Sequence, residues 1–368
     1  MTRVEQSTIG ATPDLSAARR RPYTVPLHGL AALRILIVAA IGLGYASTMQ
    51  LGPQNAEMGR HWGYDPSWYG IQMLFILSGF LAARSMSKGR SVREFFVSRI
   101  WSIWPALIAA TLISVLIIYP IMCLPDAPVR MSMADLTVYF FKTIFLIDPG
   151  GQMPGLLDDA KYMCLLQGAI WTLRWGFLLH IAFLIGWKMR ILQSPKIVFT
   201  LCIAAIASYV GIVDYAVSNA AFGSTIEPFL PAIRLGYAYL VGVTLLVWQS
   251  ALRFNKRRIL VSSAAIALAA TGFHLWFPWS ATQEILGVAF WLTLSFGFLH
   301  NAPQFLQRCP RLAPALYVSI WPTAQIIVAL LPNHTQFTMI AISMLFAGIS
   351  AVILYLLLRQ ARVQPARL

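Results

Sequence analysis

"LRILIVAAIGLGYAS", Leu33 to Ser47, decides the fold class, because it is hydrocarbon apart from one arginine near its start and one tyrosine near its end. A helix crosses a bilayer with about 20 mostly apolar residues, and the run 29–48 around this stretch has that length. The whole chain agrees: 58% of its 368 residues are hydrophobic and 11% are charged, too little polar surface to cover a water-soluble globule of this size. An all-α, polytopic integral membrane bundle follows. The excess of 28 Lys+Arg over 13 Asp+Glu falls in short clusters between apolar runs, which suits basic cytoplasmic loops and not a nucleic-acid surface.

Ten segments meet the length rule, at roughly 29–48, 67–84, 100–123, 168–188, 197–216, 228–249, 258–277, 284–300, 314–331 and 337–358. A shorter apolar stretch, 135–148, holds Lys142 and is bounded by Asp135 and Asp148. If it does not span, the loops 85–99, 189–196, 250–257 and 301–313 collect Lys88, Arg90, Arg93, Arg99, Arg190, Lys196, Arg253, Lys256, Arg257, Arg308 and Arg311 on one side. Asp126, Asp158, Asp159, Asp214, Glu227 and Glu284 then fall on the other. By the positive-inside rule this gives ten spans with both termini cytoplasmic, and 135–148 becomes interfacial or re-entrant on the outer side. The first 22 residues contain Arg19, Arg20 and Arg21 but no apolar core of a cleavable leader, so 1–25 reads as a basic cytosolic tail, 26–360 as the membrane domain and 361–368 as a second tail. Cys123 and Cys164 fall on the outer side, where a disulfide is chemically permitted but equally two small apolar thiols suffice. No Cys/His cluster suggests a metal, and no Gly-rich phosphate loop suggests nucleotide hydrolysis.

An ionised side chain in the bilayer core costs about 2.5 kcal/mol or more, so it usually faces a bundle interior or an aqueous cavity. Arg34, Arg174 and Arg234 lie within or near the ends of spans, and Arg99 sits where the third span begins. Every acid is expected in a tail, a loop or a segment end, which leaves these cations without internal counter-ions. Two readings stand open: an anionic guest such as a nucleotide-type phosphate, a thioester carrier or a lipid phosphate, or snorkelling to the headgroups. Eleven residues come within ~20° of three full turns, so Arg34 and Tyr45 share one face about 16 Å apart.

Here the sequence resembles the acyltransferase family 3 of mainly bacterial membrane proteins, which move acyl groups from a cytosolic acyl-CoA to acceptors on the far side. The family's first span carries an arginine, ten residues and a histidine; this chain has Arg34 and then Tyr45. "GIQMLFILSGFLA", Gly70 to Ala82, is close to the second-span pattern "GVxLFFVLSGFLI". "FFVSRIWSIWP", Phe95 to Pro105, looks like "FFxRRxxRIxP" with Ser102 replacing the second arginine. "IWTLRWGFLLH", Ile170 to His180, looks like "LWTLxxExxFY" with Gly176 at the glutamate, and "YVSIWPTAQ", Tyr317 to Gln325, resembles "YLYxFPVQQ". No hydrolase-like domain is expected after the last span.

The resemblance implies an O-acyltransferase with acyl-CoA as co-substrate and no other cofactor, in the bacterial inner membrane. Its acceptor would be an envelope glycan, a lipid-linked sugar or a small molecule. Arg34 and Arg99 would hold the donor's phosphates, with Arg174 and Arg234 as further anion contacts, while Trp171 and a bend at Ser78–Gly79 would shape the channel. Acyl transfer to a hydroxyl needs a base. Tyr45, with an unperturbed pKa near ~10, is a poor one, whereas His180 lies one turn after Gly176 on the same face. A mid-span histidine is a site candidate by default, although an imidazole bonded to a neighbouring helix is its bland reading. The other histidines, His61 among them, fall at span ends or in loops. Two further readings use the same scaffold without chemistry: a transporter of an acylated or anionic lipid, and a regulatory partner of an active relative.

Overall fold

The computed structural model describes residues 29–51, 64–123, 130–157, 162, 164–248, 256–276, 280–301, 312–331 and 334–363. The tails through residue 28 and from 364, together with His28, His61, Asp126, Asp158, Asp159, Arg253, Arg308 and Arg311, lie outside them. The helices are α1 (Leu30–Leu51), α2 (Pro66–Ser87), α3 (Val92–Met122), α4 (Met133–Ile144), α5 (Trp171–Lys188) and α6 (Pro195–Ser218). They continue with α7 (Ala220–Ile226), α8 (Leu230–Val247), α9 (Lys256–Trp276), α10 (Ala281–Asn301), α11 (Ala313–Leu330) and α12 (Gln336–Val363). Among the described residues, ten helical segments are long and apolar enough to cross a membrane, one for each expected span.

Local chemistry sets the ends of these helices. Asp65 caps α2 by accepting from the backbone N–H of Ser67 at 2.6 Å and of Trp68 at 3.0 Å, with Pro66 at the first helical position. Ser91 and Glu94 form a capping box that starts α3 at Val92. That is eight residues before the expected start at 100, so Arg93 and Arg99 belong to the helix and not to a loop. A π-helical turn, Ser114–Ile118, interrupts α3 two-thirds of the way along.

The bundle is centred on α2, which packs against α1, α3, α5, α8 and α10. Its closest crossing is with α8. A Cβ on Gly79 would stand 2.1 Å from the Tyr239 carbonyl oxygen, and one on Gly242 would stand 1.9 Å from that of Ile76. Two glycines thus let the backbones touch, as small residues do between membrane helices. At Ser78–Gly79 α2 stays helical through both residues, and the Ser78 hydroxyl bonds back to the Leu74 carbonyl at 2.8 Å. Gly79 is there for helix contact. A second set, α1, α11 and α12, packs alongside, and α9 rests mainly on α10 at the periphery. Large apolar side chains such as Ile121, Leu268, Leu275 and Leu357 are exposed on the outside of the bundle, as a lipid-facing surface requires.

Residues 133–144 form a twelve-residue helix, α4, too short to span. Leu136, Tyr139 and Thr143 face inward, while Val138, Phe141 and Phe145 are exposed. It lies against α3 and closes a small apolar cluster with Val115, Tyr119, Met153, Leu156 and Leu166. Tyr119 ties this cap together, donating to the Pro154 carbonyl at 3.0 Å and accepting from the Met131 N–H at 2.7 Å. Cys123 and Cys164 meet the same residue, Leu156, the first through an isolated β-bridge and the second through an N–H donated to its carbonyl.

Candidate functional site

Two polar clusters stand inside the bundle, toward opposite ends of it. The first is built on His180. It sits eight residues before the end of α5, about 12 Å into the helix. Its Nδ1 bonds the Gly176 carbonyl at 2.5 Å. A carbonyl only accepts, so Nδ1 carries the proton and Nε2 presents its lone pair. Nε2 is buried and has no hydrogen-bond partner. The ring is packed between Phe95 of α3, at 5.5 Å between centroids, and Tyr239 of α8, at 5.5 Å edge-on. The Tyr239 hydroxyl is likewise buried without a partner. Arg99 lies over the Phe95 ring, 5.2 Å from its centre, and acts electrostatically on both His180 and Tyr239. A base, a hydroxyl and a cation from three helices therefore converge at the end of the bundle where α3 begins.

The second cluster was not foreseen. Glu284, in the first turn of α10, was expected in an outer, acid-leaning position at the segment end; it is completely buried. Tyr209 of α6 donates to its Oε2 at 2.5 Å, Gln72 of α2 donates to Oε1, and Tyr237 of α8 lies 3.2 Å from Oε1 while donating to Gln72 Oε1 at 2.6 Å. Arg234 of α8, also buried, acts on this carboxylate electrostatically. The expectation that no membrane arginine has an acidic neighbour is therefore corrected for Arg234. The physical reason is geometric: Glu284 is near the end of its own helix but faces three others. The Arg234 guanidinium lies 3.5 Å over the Trp68 ring, and its Nε is buried without a partner.

The remaining candidates distribute between these clusters. Tyr45 is buried in the main core with its hydroxyl unpartnered, edge-on to Trp321 at 4.7 Å. Trp171, Arg234, Asp65 and Tyr317 are its neighbours, which places it with the Glu284 end and away from His180. Tyr45 and His180 are thus not two parts of one proton relay. Tyr317 donates to the Ala169 carbonyl at 2.7 Å and Trp321 to that of Leu165 at 2.9 Å, so α11 fixes the segment that leads into Trp171. Arg34 is half-buried on α1. Arg174 is exposed and reaches the Ile147 carbonyl at 3.5 Å, beside α4. The four arginines do not share one internal hollow; Arg99 and Arg234 each belong to a cluster of their own. Ser78 stands half-buried in the α2 core with its hydroxyl spent on Leu74. A Cβ at Gly176 would make an ordinary contact with the Phe75 ring at 3.8 Å, without a clash.

Sequence reasoning missed Glu284, Gln72, Tyr209, Tyr237 and Tyr239. The available signal was a polar residue inside an apolar run, as with Gln72 and the two tyrosines of α8. No family model matches the chain, no characterised protein is significantly similar to it, and no solved structure matches its fold.

Proposed function

We propose that the protein is a multi-pass O-acyltransferase of a bacterial inner membrane, transferring an acyl group from cytosolic acyl-CoA to a hydroxyl of an envelope glycan, lipid-linked sugar or other acceptor. One observation supports this reading most: the buried, unpartnered Nε2 of His180 beside Tyr239 and Arg99. Nε2 takes the acceptor's hydroxyl proton, the oxygen attacks the thioester carbonyl carbon, and the C–S bond breaks as coenzyme A leaves and recovers that proton. Arg99, with Arg34 at the same end of the bundle, offers positive charge to the donor's phosphates. The ordered motifs from Arg34 to Gln325 point to the same chemistry by resemblance. Histidine thus takes up in α5 the role that the first span, with Tyr45, does not fill.

Membrane vesicles supplied with radiolabelled acyl-CoA test it. Wild-type protein labels an acceptor; H180A lowers the rate by about 10²–10⁴-fold, the usual contribution of a positioned base, and Arg34→Ala or Arg99→Ala raises KM for the donor. Labelling indifferent to all three substitutions refutes the assignment.

Glu284 favours a second reading, transport without chemistry, because a buried membrane carboxylate in the field of an arginine and in contact with three other helices often marks an ion or proton path. Flux of an anionic lipid into proteoliposomes with its mass unchanged, lost in Glu284→Ala, supports transport; absence of flux counts against it.

A further inference from the structure

A cavity of about 330 Å³ lies between α5, α6 and α8, lined by Leu179, Phe183, Ala205, Gly236, Tyr237 and Tyr239 among others. This is the small end of the ~300–1,000 Å³ range of small-molecule pockets. Its wall is almost all carbon, and Leu179, Ala205 and Gly236 are only half-buried, so it opens sideways at a lipid-facing seam. Along α8 it extends from Ala232 to Leu240, about 12 Å of helix. One polar group in the wall has nothing to bind: Tyr239 is 3% exposed and its hydroxyl has no partner. The same ring meets His180 edge-on at 5.5 Å. The cavity is therefore an apolar slot whose wall includes Tyr239, the residue that packs on His180 beside Arg99.

We propose that this slot holds the hydrocarbon tail of the acyl donor, with the thioester at Tyr239 and His180, so that the transferred group is a medium or long acyl chain. The inference rests on the acyltransferase reading and names its substrate class. An acetyl group would reach Tyr239 and leave the slot unfilled; a chain of several methylenes extends from the same point along α8 toward Ala232. The Tyr239 hydroxyl is placed to donate to the thioester carbonyl oxygen, which would satisfy it and stabilise the charge that develops there.

Two measurements test this. The first is kcat/KM for acyl-CoA donors from acetyl to palmitoyl, in wild type and Gly236→Leu. A Cβ at Gly236 meets only Leu179 Cδ2 at 3.9 Å, so the new side chain grows into the slot without displacing backbone. Wild type should prefer the long donors, and the palmitoyl-to-acetyl ratio should fall at least tenfold in the variant; an unchanged ratio, or a wild-type preference for acetyl-CoA, overturns the proposal. The second is photolabelling with palmitoyl-CoA carrying a mid-chain diazirine. Adducts between Leu179 and Phe183 or between Ala232 and Leu240, competed away by unlabelled palmitoyl-CoA, support it. Equal labelling by a diazirine phosphatidylcholine, without competition from palmitoyl-CoA, means a bulk lipid tail occupies the slot and the proposal fails. If competed adducts form but no donor of any length is turned over, the binding site stands and the acyltransferase reading falls.

Discussion

Tyr209 on α6 donates its hydroxyl to Glu284 on α10 across 2.5 Å, joining residues 75 positions apart at the buried heart of the bundle. Around that bond Gln72 and Tyr237 bring in α2 and α8. Removing the carboxylate leaves the Tyr209 hydroxyl and the Gln72 amide without their acceptor in a medium that supplies no water.

Glu284→Ala should therefore cost about 2–6 kcal/mol, at about 1–3 kcal/mol for each of the two buried donors left unsatisfied. Tyr209→Phe removes one donor and should cost about 1–3 kcal/mol. Thermal unfolding of the purified protein in detergent reads both; equal midpoints for wild type and Glu284→Ala would show that the cluster does not hold the helices together.

Gly79→Ala should be far more damaging than its one methyl suggests, because the added carbon meets the backbone of α8 and not a movable side chain. Loss of monodisperse protein on size-exclusion chromatography is expected. Gly211→Ala is the control: a Cβ there meets nothing within 4 Å, and the helix should gain up to about 1 kcal/mol.

Trp321→Phe keeps most of the packing against Tyr45 but deletes the bond from the indole N–H to the Leu165 carbonyl. A loss of about 1 kcal/mol is expected, and amide hydrogen exchange should quicken over 165–170 while α2 and α8 stay protected.

Asp135 lies outside the spans, where bonds from the Ser132 hydroxyl and backbone N–H hold its carboxyl below the usual carboxylate range. A lowered carboxyl stabilises the fold above its unfolded pKa, near ~3.9, and loses that contribution as pH falls through the folded value. Exchange at the start of α4 should be flat from about pH 8 to pH 5, once corrected for intrinsic rates, and faster only below about pH 4. Ser132→Ala should abolish the step, and a step near neutral pH would contradict the assignment.

Sidedness has a direct test. In a background without the four native cysteines, Arg190→Cys should react with an impermeant maleimide only from the cytoplasmic face and Asp148→Cys only from the opposite one. Labelling of both from one side would overturn the ten-span orientation.

The number of the spans was legible in the sequence because apolar length is a local property: a bilayer of fixed thickness needs about 20 apolar residues whatever surrounds them. That 133–144 does not cross was legible for the same reason, since its apolar stretch holds Lys142 and the helix is only twelve residues long. His180 was singled out as a histidine in the middle of a span, and the structure adds what local reading could not, an Nδ1 committed to Gly176 and an Nε2 left over. Which polar residues meet was settled only by tertiary packing. Glu284 reads as a loop-side acid until α2, α6 and α8 close around it, and Tyr45 and His180 read as alternative bases for one site until α1 and α5 place them toward different ends. Hydrophobic length fixes how deep a residue sits along its own helix, but its neighbours depend on how each helix is rotated. That rotation is set by contacts such as Gly79 on Tyr239, between residues far apart in the chain.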